Sequence, residues 1–154
     1  MERPALQISR RFDRLCKELA HGLSGHEAVL DGEIICVDAE GRPQFYDLLR
    51  TRRPPIYAAF DLLWLDGEQL SKRPLIERKA RLQKLLPKDQ DALLYVQHFE
   101  SPGAKVLKQV CSMDLEGIVA KRKSAPYGGT GWLKILNPNY SQKGGRAELF
   151  KKRA

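Results

Sequence analysis

Three carboxylates interrupt segments that otherwise have the composition of buried β-strands. They are Glu33, Asp61 and Glu116, and each lies in a different apolar run. A carboxylate buried without a partner costs several kcal/mol, so each should meet a cation, a metal ion or hydrogen-bond donors. One such acid alone is better explained as a wetted strand end or an arginine partner. Three on separate strands favour a shared site, in which carboxylates and phosphate oxygens hold Mg²⁺ and basic side chains complete a nucleotide pocket.

Two aromatic residues accompany these acids. Phe60 directly precedes Asp61, and Trp132 stands between a Gly-rich segment and Lys134. Either ring could stack on a nucleobase, a contact worth about 1–3 kcal/mol. Periodicity alone favours simple core packing for both rings.

The elements that must position these residues mix helices and strands without a strict βαβ rhythm. Apolar periodicity predicts helices at 10–21, 74–86 and 102–113 and strands at 29–37, 56–65, 92–98, 116–121 and 132–136. Segment 44–49 fits either a second short strand or a helix start. The mixture predicts an α+β fold with antiparallel sheets flanked by helices. The apolar stripe of the helix at 74–86 is expected to comprise Leu75, Ile76, Ala80, Leu82, Leu85 and Leu86.

Length and composition are those of one globular domain. The chain has 154 residues, 42% hydrophobic and 30% charged. No apolar run approaches the roughly 20 residues that span a bilayer, and the amino terminus has no apolar core of a secretory signal, so we expect a cytoplasmic protein without membrane partners. The three cysteines form no CxxC pair and are expected to be reduced thiols.

The net charge of +8 is concentrated near the end of the sequence. Residues 121–154 contain nine Lys or Arg residues and one acid, Glu148, whereas residues 1–120 balance to zero. This asymmetry suggests a polyanionic partner, either nucleic acid or a nucleotide phosphate. A solvated basic tail explains the same charge equally well.

Five segments resemble, in order and spacing, the motifs of ATP-dependent DNA ligases. They are LDGEI at 30–34, YAAFDLLWLDG at 57–67, PLIERK at 74–79, LEGIVAKR at 115–122 and SAPYGGTGWLK at 124–134. The resemblance covers about residues 10–150 and is to the ligase modules of bacterial ligase D and to small stand-alone bacterial ligases. It implies a partial ATP-grasp-like nucleotidyltransferase (adenylation) domain at 1–136, followed by a basic extension at 137–154.

The resemblance also implies roles for matching residues around the nucleotide. Glu33 is expected to contact the ribose or a metal, and Phe60 to stack on adenine. Glu116 is expected to hold the catalytic metal, and Lys134 to contact the α-phosphate. The implied cofactors are ATP and Mg²⁺ or Mn²⁺.

Three further basic residues match family positions near the nucleotide phosphates or DNA. They are Arg10, Lys121 and Arg122. In that family a lysine attacks ATP to form lysyl-AMP, AMP passes to a DNA 5′-phosphate, and a 3′-hydroxyl displaces it. DNA ends or nicks are therefore the implied substrate.

The sequence departs from the family pattern at its chemical centre. The family nucleophile lies in a K-x-D-G motif, and no lysine here is followed by x-D-G, so the catalytic residue is unknown. The final family motif has a second lysine where this chain has Leu136. Losing such an electrostatic contact commonly costs about 10²–10³ in rate. We also expect no room for the OB-fold domain that closes over the site in full ligases.

Three functional hypotheses follow. The chain is a ligase-family protein, for DNA strand joining in repair and recombination, that cannot seal nicks alone because nucleophilic catalysis needs the amine itself. Alternatively it is a non-catalytic module that binds ATP or DNA. The third hypothesis is a truncated gene product that needs a second chain carrying missing strands. A Ku-type partner is suggested only by the likeness to ligase D.

Overall fold

A computed structural model describes residues 12–50, 52–129 and 131–144. The helices are α1 (Asp13–Gly22), α2 (Phe45–Arg50), α3 (Leu75–Leu85) and α4 (Gly103–Ser112). The strands are β1 (Ala28–Ile35), β2 (Ile56–Leu65), β3 (Glu68–Gln69), β4 (Leu93–Tyr95), β5 (Gly117–Lys121) and β6 (Trp132–Leu136). The predicted α+β class with antiparallel sheets is confirmed, and the ambiguous segment 44–49 belongs to helix α2.

The larger sheet is centred on β2. This strand pairs antiparallel with β1 and β3 and parallel with β4, which the chain reaches by crossing over through α3. Successive residues of β2 are buried at 58–59 and 61–62, so both faces of this strand are covered there, as its nearly continuous apolar sequence predicts. The β2–β3 hairpin turns at Asp66 and Gly67, which both have positive φ, as a tight two-residue turn requires.

The pairing of β1 with β2 is irregular at two points, one of which involves the predicted stacking residue Phe60. The register shifts between Val29 and Leu30 and again between Asp31 and Gly32, so that Phe60 has no partner on β1. Such bulges redirect a side chain from its regular position. A β-carbon at Gly32 would lie 2.5 Å from the Ala58 carbonyl oxygen, so any larger residue at this position of LDGEI would clash with the backbone of β2.

The hydrophobic core lies between α3 and the face of this sheet. Its fully buried cluster comprises Ala59, Leu62, Leu70, Leu82, Leu86 and Leu93. The predicted stripe of α3 is partly wrong, because Ile76 and Ala80 are exposed while Arg78 and Lys79 are buried. The physical reason is that both buried cations have polar partners elsewhere in the fold, so their burial does not leave a charge unsatisfied.

The second sheet is the antiparallel hairpin β5–β6, and α4 packs against β5. Val119 is paired with Lys134, and Lys121 with Trp132, so these four side chains lie on one face. A β-carbon at Gly117 would collide with the carbonyl oxygen of Ile135 on the paired strand.

The described residues after β6 are attached to the start of β5. Buried Asn137 donates its backbone N–H to the Glu116 carbonyl at 2.7 Å and its side-chain amide to the Leu115 carbonyl at 3.0 Å. The Asp114 carboxylate accepts hydrogen bonds from the backbone N–H and the hydroxyl of Ser141. A separate basic extension at 137–154 stays a prediction, of which residues 137–144 are described. Across the described ranges, no helix is long and apolar enough to cross a membrane.

Candidate functional site

The two sheets approach each other at a lysine held between aromatic rings. The Lys121 ammonium lies 3.8 Å from the ring centroid of Trp132 and 5.9 Å from that of Phe60. An ammonium over an aromatic face is attracted by the ring quadrupole. Burial lowers the pKa of Lys121, while the charges of Asp61 and Asp31 oppose that shift. A predicted adenine-stacking residue and a predicted phosphate contact are therefore neighbours.

A second pair of predicted residues is joined directly. The Lys134 ammonium lies 2.9 Å from a carboxylate oxygen of Glu116, and their side chains are 58% and 35% exposed. Ion pairs this exposed contribute at most about 1 kcal/mol. Incoming phosphate or metal could therefore exchange with either partner at small cost.

The remaining predicted residues lie apart from these pairs or outside the described ranges. Glu33 is exposed on β1, opposite Ala58 of β2. Arg122 is exposed at the start of the β5–β6 loop, where it lines a depression of about 240 Å³ together with Ser124 and Gly131. Arg10 lies outside the described residues.

The third acid, Asp61, has the arginine partner that its burial demands. The Arg78 guanidinium donates from Nε to Oδ1 and from Nη2 to Oδ2, both at 2.8 Å. The side chains of Arg78 and Asp61 are 2% and 0% exposed. Such a bidentate contact matches the planar geometry of both the guanidinium and the carboxylate. Asp61 is thus explained by an ion pair, which was the simpler of the two interpretations, and its carboxylate holds β2 to α3.

Sequence reasoning missed a second buried cation on α3. Lys79 donates to the Val96 carbonyl oxygen at 2.5 Å, and its ammonium lies 4.3 Å from the Tyr95 ring centroid. Burial lowers the pKa of Lys79 to about 8, and the nearby charge of Lys121 acts in the same direction. A lysine beside an arginine on an amphipathic helix resembles a solvated face, so no pattern distinguished it.

A contact between β1 and the β5–β6 loop was also missed. The Tyr127 hydroxyl donates to Oδ2 of Asp31 at 3.1 Å, and Asp31 lies opposite Asp61 in the sheet register. Burial raises the pKa of Tyr127, and the negative charge of Asp31 raises it further. Asp31 and Tyr127 both lie inside the segments that resemble ligase motifs, which was the available signal.

The carboxylate of Glu116 suits a magnesium ion only in combination with a ligand that supplies further oxygen atoms. Among the residues with described structure, no cluster of three His, Cys, Asp or Glu side chains could hold a metal ion alone. Mg²⁺ is usually held by one or two carboxylates plus substrate phosphates. A single carboxylate at Glu116 fits that arrangement.

Comparison with known proteins decides the family. The profile described as "ATP dependent DNA ligase domain" matches residues 1–135. The chain belongs to this ATP-dependent DNA ligase family. The fold agrees, because the ligase domain of LigD from M. tuberculosis superposes with a TM-score of 0.72 at 27% identity, covering 84% of this chain and 43% of that one. A mycobacterial DNA ligase D complexed with ATP and MES gives a TM-score of 0.67 at 29% identity, covering 77% and 40%.

Curated relatives of this ligase-family chain include multifunctional and shorter proteins. The multifunctional non-homologous end joining protein LigD of Pseudomonas aeruginosa is 34% identical over 82% of this chain and 16% of its own length. The probable DNA ligase of Streptomyces coelicolor is 33% identical over 77% of this chain and 27% of its own length. The SPbeta prophage-derived DNA ligase-like protein LigB of Bacillus subtilis is 29% identical over 74% and 46%. The chain therefore spans less than half the length of these relatives.

Proposed function

We propose that this chain provides the ATP-binding part of a DNA ligase that joins DNA strands in repair and recombination. The observation that carries the proposal is the position of Lys121, whose ammonium contacts Trp132 of the hairpin and faces Phe60 of the larger sheet. A base stacked on Phe60 would place its phosphates toward the hairpin, where cations are available. Family membership and the likeness to an ATP-complexed ligase support the same ligand.

Each residue of the site has a distinct task in this proposal. Phe60 stacks on adenine, and Glu33 contacts the ribose from β1. Lys121 and Lys134, which lie on one face of the β5–β6 hairpin, bind the phosphates. The ion pair between Glu116 and Lys134 breaks, and the Glu116 carboxylate then holds a divalent metal. This metal, when bound, would neutralise charge on the triphosphate. Lys134 then has its full charge free for the α-phosphate.

The absence of a K-x-D-G lysine favours a second candidate function. No lysine in the sequence occupies that motif, and Leu136 replaces a further cation. We propose accordingly that the chain binds ATP or DNA without forming lysyl-AMP by itself, and that sealing needs a second chain or segment that brings the nucleophile. The exposed apolar side chains of the hairpin, Val119, Leu133 and Leu136, are consistent with such an addition.

DNA is the proposed polymeric partner. Nine basic residues and one acid lie between residues 121 and 154, and Arg122 is exposed among them. Binding through phosphate contacts should weaken steeply with salt, because condensed counterions are released. A Ku-type protein is a further proposed partner, by analogy with the end joining named in the LigD relatives.

One experiment separates ATP binding from adenylate formation. Purified chain is mixed with Mg²⁺ and ATP labelled at the α-phosphate, and label is measured both on the native protein and after denaturation. We expect label on the native protein only, weakened in Lys134→Ala and unchanged in Lys143→Ala, whose lysine lies outside the site. Label that survives denaturation would show that another lysine is the nucleophile. No native binding would refute the proposed ATP site.

Nick sealing tests the second candidate. The chain alone should not seal a nicked duplex, and adding a polypeptide that contains the K-x-D-G motif should restore sealing. Sealing by the chain alone, or none after addition of that polypeptide, would contradict this candidate.

A further inference from the structure

The loop that joins β5 to β6 is fixed to the amino end of α3. This helix has no side-chain cap, and two loop carbonyls accept its first N–H groups instead. Leu75 donates to Ala125 at 3.0 Å, and Ile76 donates to Lys123 at 3.1 Å. The helix donors that would otherwise be unpaired thus hold the backbone of the loop.

The side chain of Tyr127, in the same loop, touches three other elements. Its hydroxyl donates to Asp31 on β1 at 3.1 Å. Its ring centroid lies 6.0 Å from the guanidinium carbon of Arg78 on α3. Its ring also meets Trp132 of β6 edge-on, with centroids 6.3 Å apart and planes at 77°. The Tyr127 side chain therefore links the larger sheet, the β5–β6 hairpin and helix α3.

The charges around Tyr127 explain why a hydroxyl is needed there. Asp31 and Asp61 are direct partners across β1 and β2, and like charges in that arrangement repel. Arg78 neutralises Asp61 through its two-point contact. The Tyr127 hydroxyl supplies a donor to Asp31, and a phenylalanine ring could fill the same space but could not donate.

We propose that Tyr127 is a positioning residue for nucleotide binding. Its hydrogen bond to Asp31 fixes the β5–β6 hairpin relative to β1. The two hairpin lysines, Lys121 and Lys134, are thereby held at a set distance from Glu33, without any contact between Tyr127 and the nucleotide. This inference rests on the proposed function, because the affected residues are those assigned to ATP.

Trp132 provides a spectroscopic reporter for this test. The sequence has two tryptophans, so Trp64→Phe leaves Trp132 as the one tryptophan, which is excited selectively at wavelengths where tyrosine does not absorb. In that background, the full chain and its Tyr127→Phe variant are titrated with Mg²⁺ and ATP. We expect the Kd of Tyr127→Phe to rise about tenfold, which corresponds to about 1.4 kcal/mol and to one lost hydrogen bond to a charged group. Acrylamide should quench Trp132 more strongly in this variant before ATP is added.

Tyr95→Phe is the matched control. Within the described ranges, the Tyr95 hydroxyl has no hydrogen-bond partner, and its ring contact with Lys79 does not involve that hydroxyl. Its removal should leave both the Kd and the quenching unchanged. A tenfold rise in Kd in this control as well would overturn the specific role of Tyr127.

Asp31→Asn separates positioning from general structural support. In Tyr127→Phe, the Asp31 carboxylate loses its hydrogen-bond donor while it still faces Asp61. In Asp31→Asn, the negative charge that the Tyr127 hydroxyl stabilises is absent. The Kd of the double variant should therefore lie within about threefold of Asp31→Asn alone, because the two residues act through one contact. Fully additive losses would contradict this coupling.

Failure of the inference and failure of the proposed function give different results. If the parent chain does not bind ATP, the proposed function is wrong. The contact of Tyr127 with β1 is then tested by measurements on the protein without added ATP. In that case the role in nucleotide binding is overturned as well, and faster amide hydrogen exchange at 122–129 with stronger Trp132 quenching in Tyr127→Phe would support only that Tyr127 fixes the hairpin to β1. Unchanged exchange and quenching, or an unchanged Kd in a chain that binds ATP, would overturn the inference.

Discussion

The buried ion pair between Asp61 and Arg78 allows a quantitative test of what holds β2 to α3. We consider Arg78→Met, which keeps a long apolar stem and removes the guanidinium. Asp61 is completely buried, and its remaining donor is the backbone N–H of Leu62 at 2.8 Å. Breaking a buried pair by removing one partner typically costs about 3–5 kcal/mol, since the other charge is left uncompensated. That is a large part of the roughly 5–15 kcal/mol that stabilises a native domain.

Urea denaturation followed by circular dichroism measures this cost directly. With an m-value of about 2 kcal/mol/M, a loss of about 4 kcal/mol moves the midpoint by about 2 M. The matched control is Arg73→Met, which makes the same chemical change at a side chain that is 52% exposed and paired with Glu68 and Glu77 on the surface. This control should lose no more than about 1 kcal/mol.

A double variant checks the electrostatic cause. Asp61→Leu combined with Arg78→Met removes both charges, and apolar replacement of a buried pair is often neutral or stabilising. We expect the double variant to be more stable than Arg78→Met alone. The reasoning is refuted if Arg78→Met and Arg73→Met lose equal stability, or if the double variant is the least stable of the three.

Four further predictions concern the site and its supports. Glu116→Ala should abolish metal-dependent ATP binding, and unchanged titration curves would contradict the assignment of the metal ligand. Leu136→Lys should lower the Kd for ATP about tenfold by adding a charged contact, and an unchanged Kd would show that position 136 does not face the nucleotide. Lys79 has a folded-state pKa of about 8 against 10.5 in its ordinary state, so the unfolded chain binds more protons between these values. The free energy of unfolding should therefore rise from pH 8 to 10 relative to Lys79→Met, and parallel pH profiles in urea would contradict this. Gly117→Ala should lower the free energy of unfolding by about 1–3 kcal/mol because its β-carbon would meet the Ile135 carbonyl, and an unchanged melting temperature would show that the hairpin adapts.

The bounds of a strand could be predicted from the sequence where both faces of the strand are covered or where turns precede and follow it. The apolar run at 56–65 and the segment at 132–136 coincide with β2 and β6. The strand predicted at 29–37 ends at Ile35, and Val37 then forms an isolated bridge with Pro43. Apolar composition continues through that change, so composition alone could not place the end of β1.

The burial pattern of α3 shows which buried residues the sequence could not predict. Apolar spacing identified Leu82 and Leu86 correctly as core residues. It could not identify Arg78 and Lys79 as buried, because their burial depends on Asp61 of β2 and on the carbonyl of Val96, which follows β4. The spacing of apolar residues within one helix predicts which face of that helix is buried. The partners that stabilise a buried charge come from other elements, so that spacing does not predict them.

The placement of the predicted site residues follows from the same distinction. Glu116 and Lys134 were predicted as site residues by type and motif, but their direct contact depends on the pairing of β5 with β6. Lys121 and Trp132 are cross-strand partners in that hairpin, and the bulge in β2 brings Phe60 toward them. Both lysines of the proposed ATP site therefore have protein partners: a carboxylate for Lys134 and aromatic faces for Lys121. We propose that these contacts restrict both side chains, so that ATP binding at the proposed site would cost less side-chain entropy than binding to freely rotating lysines.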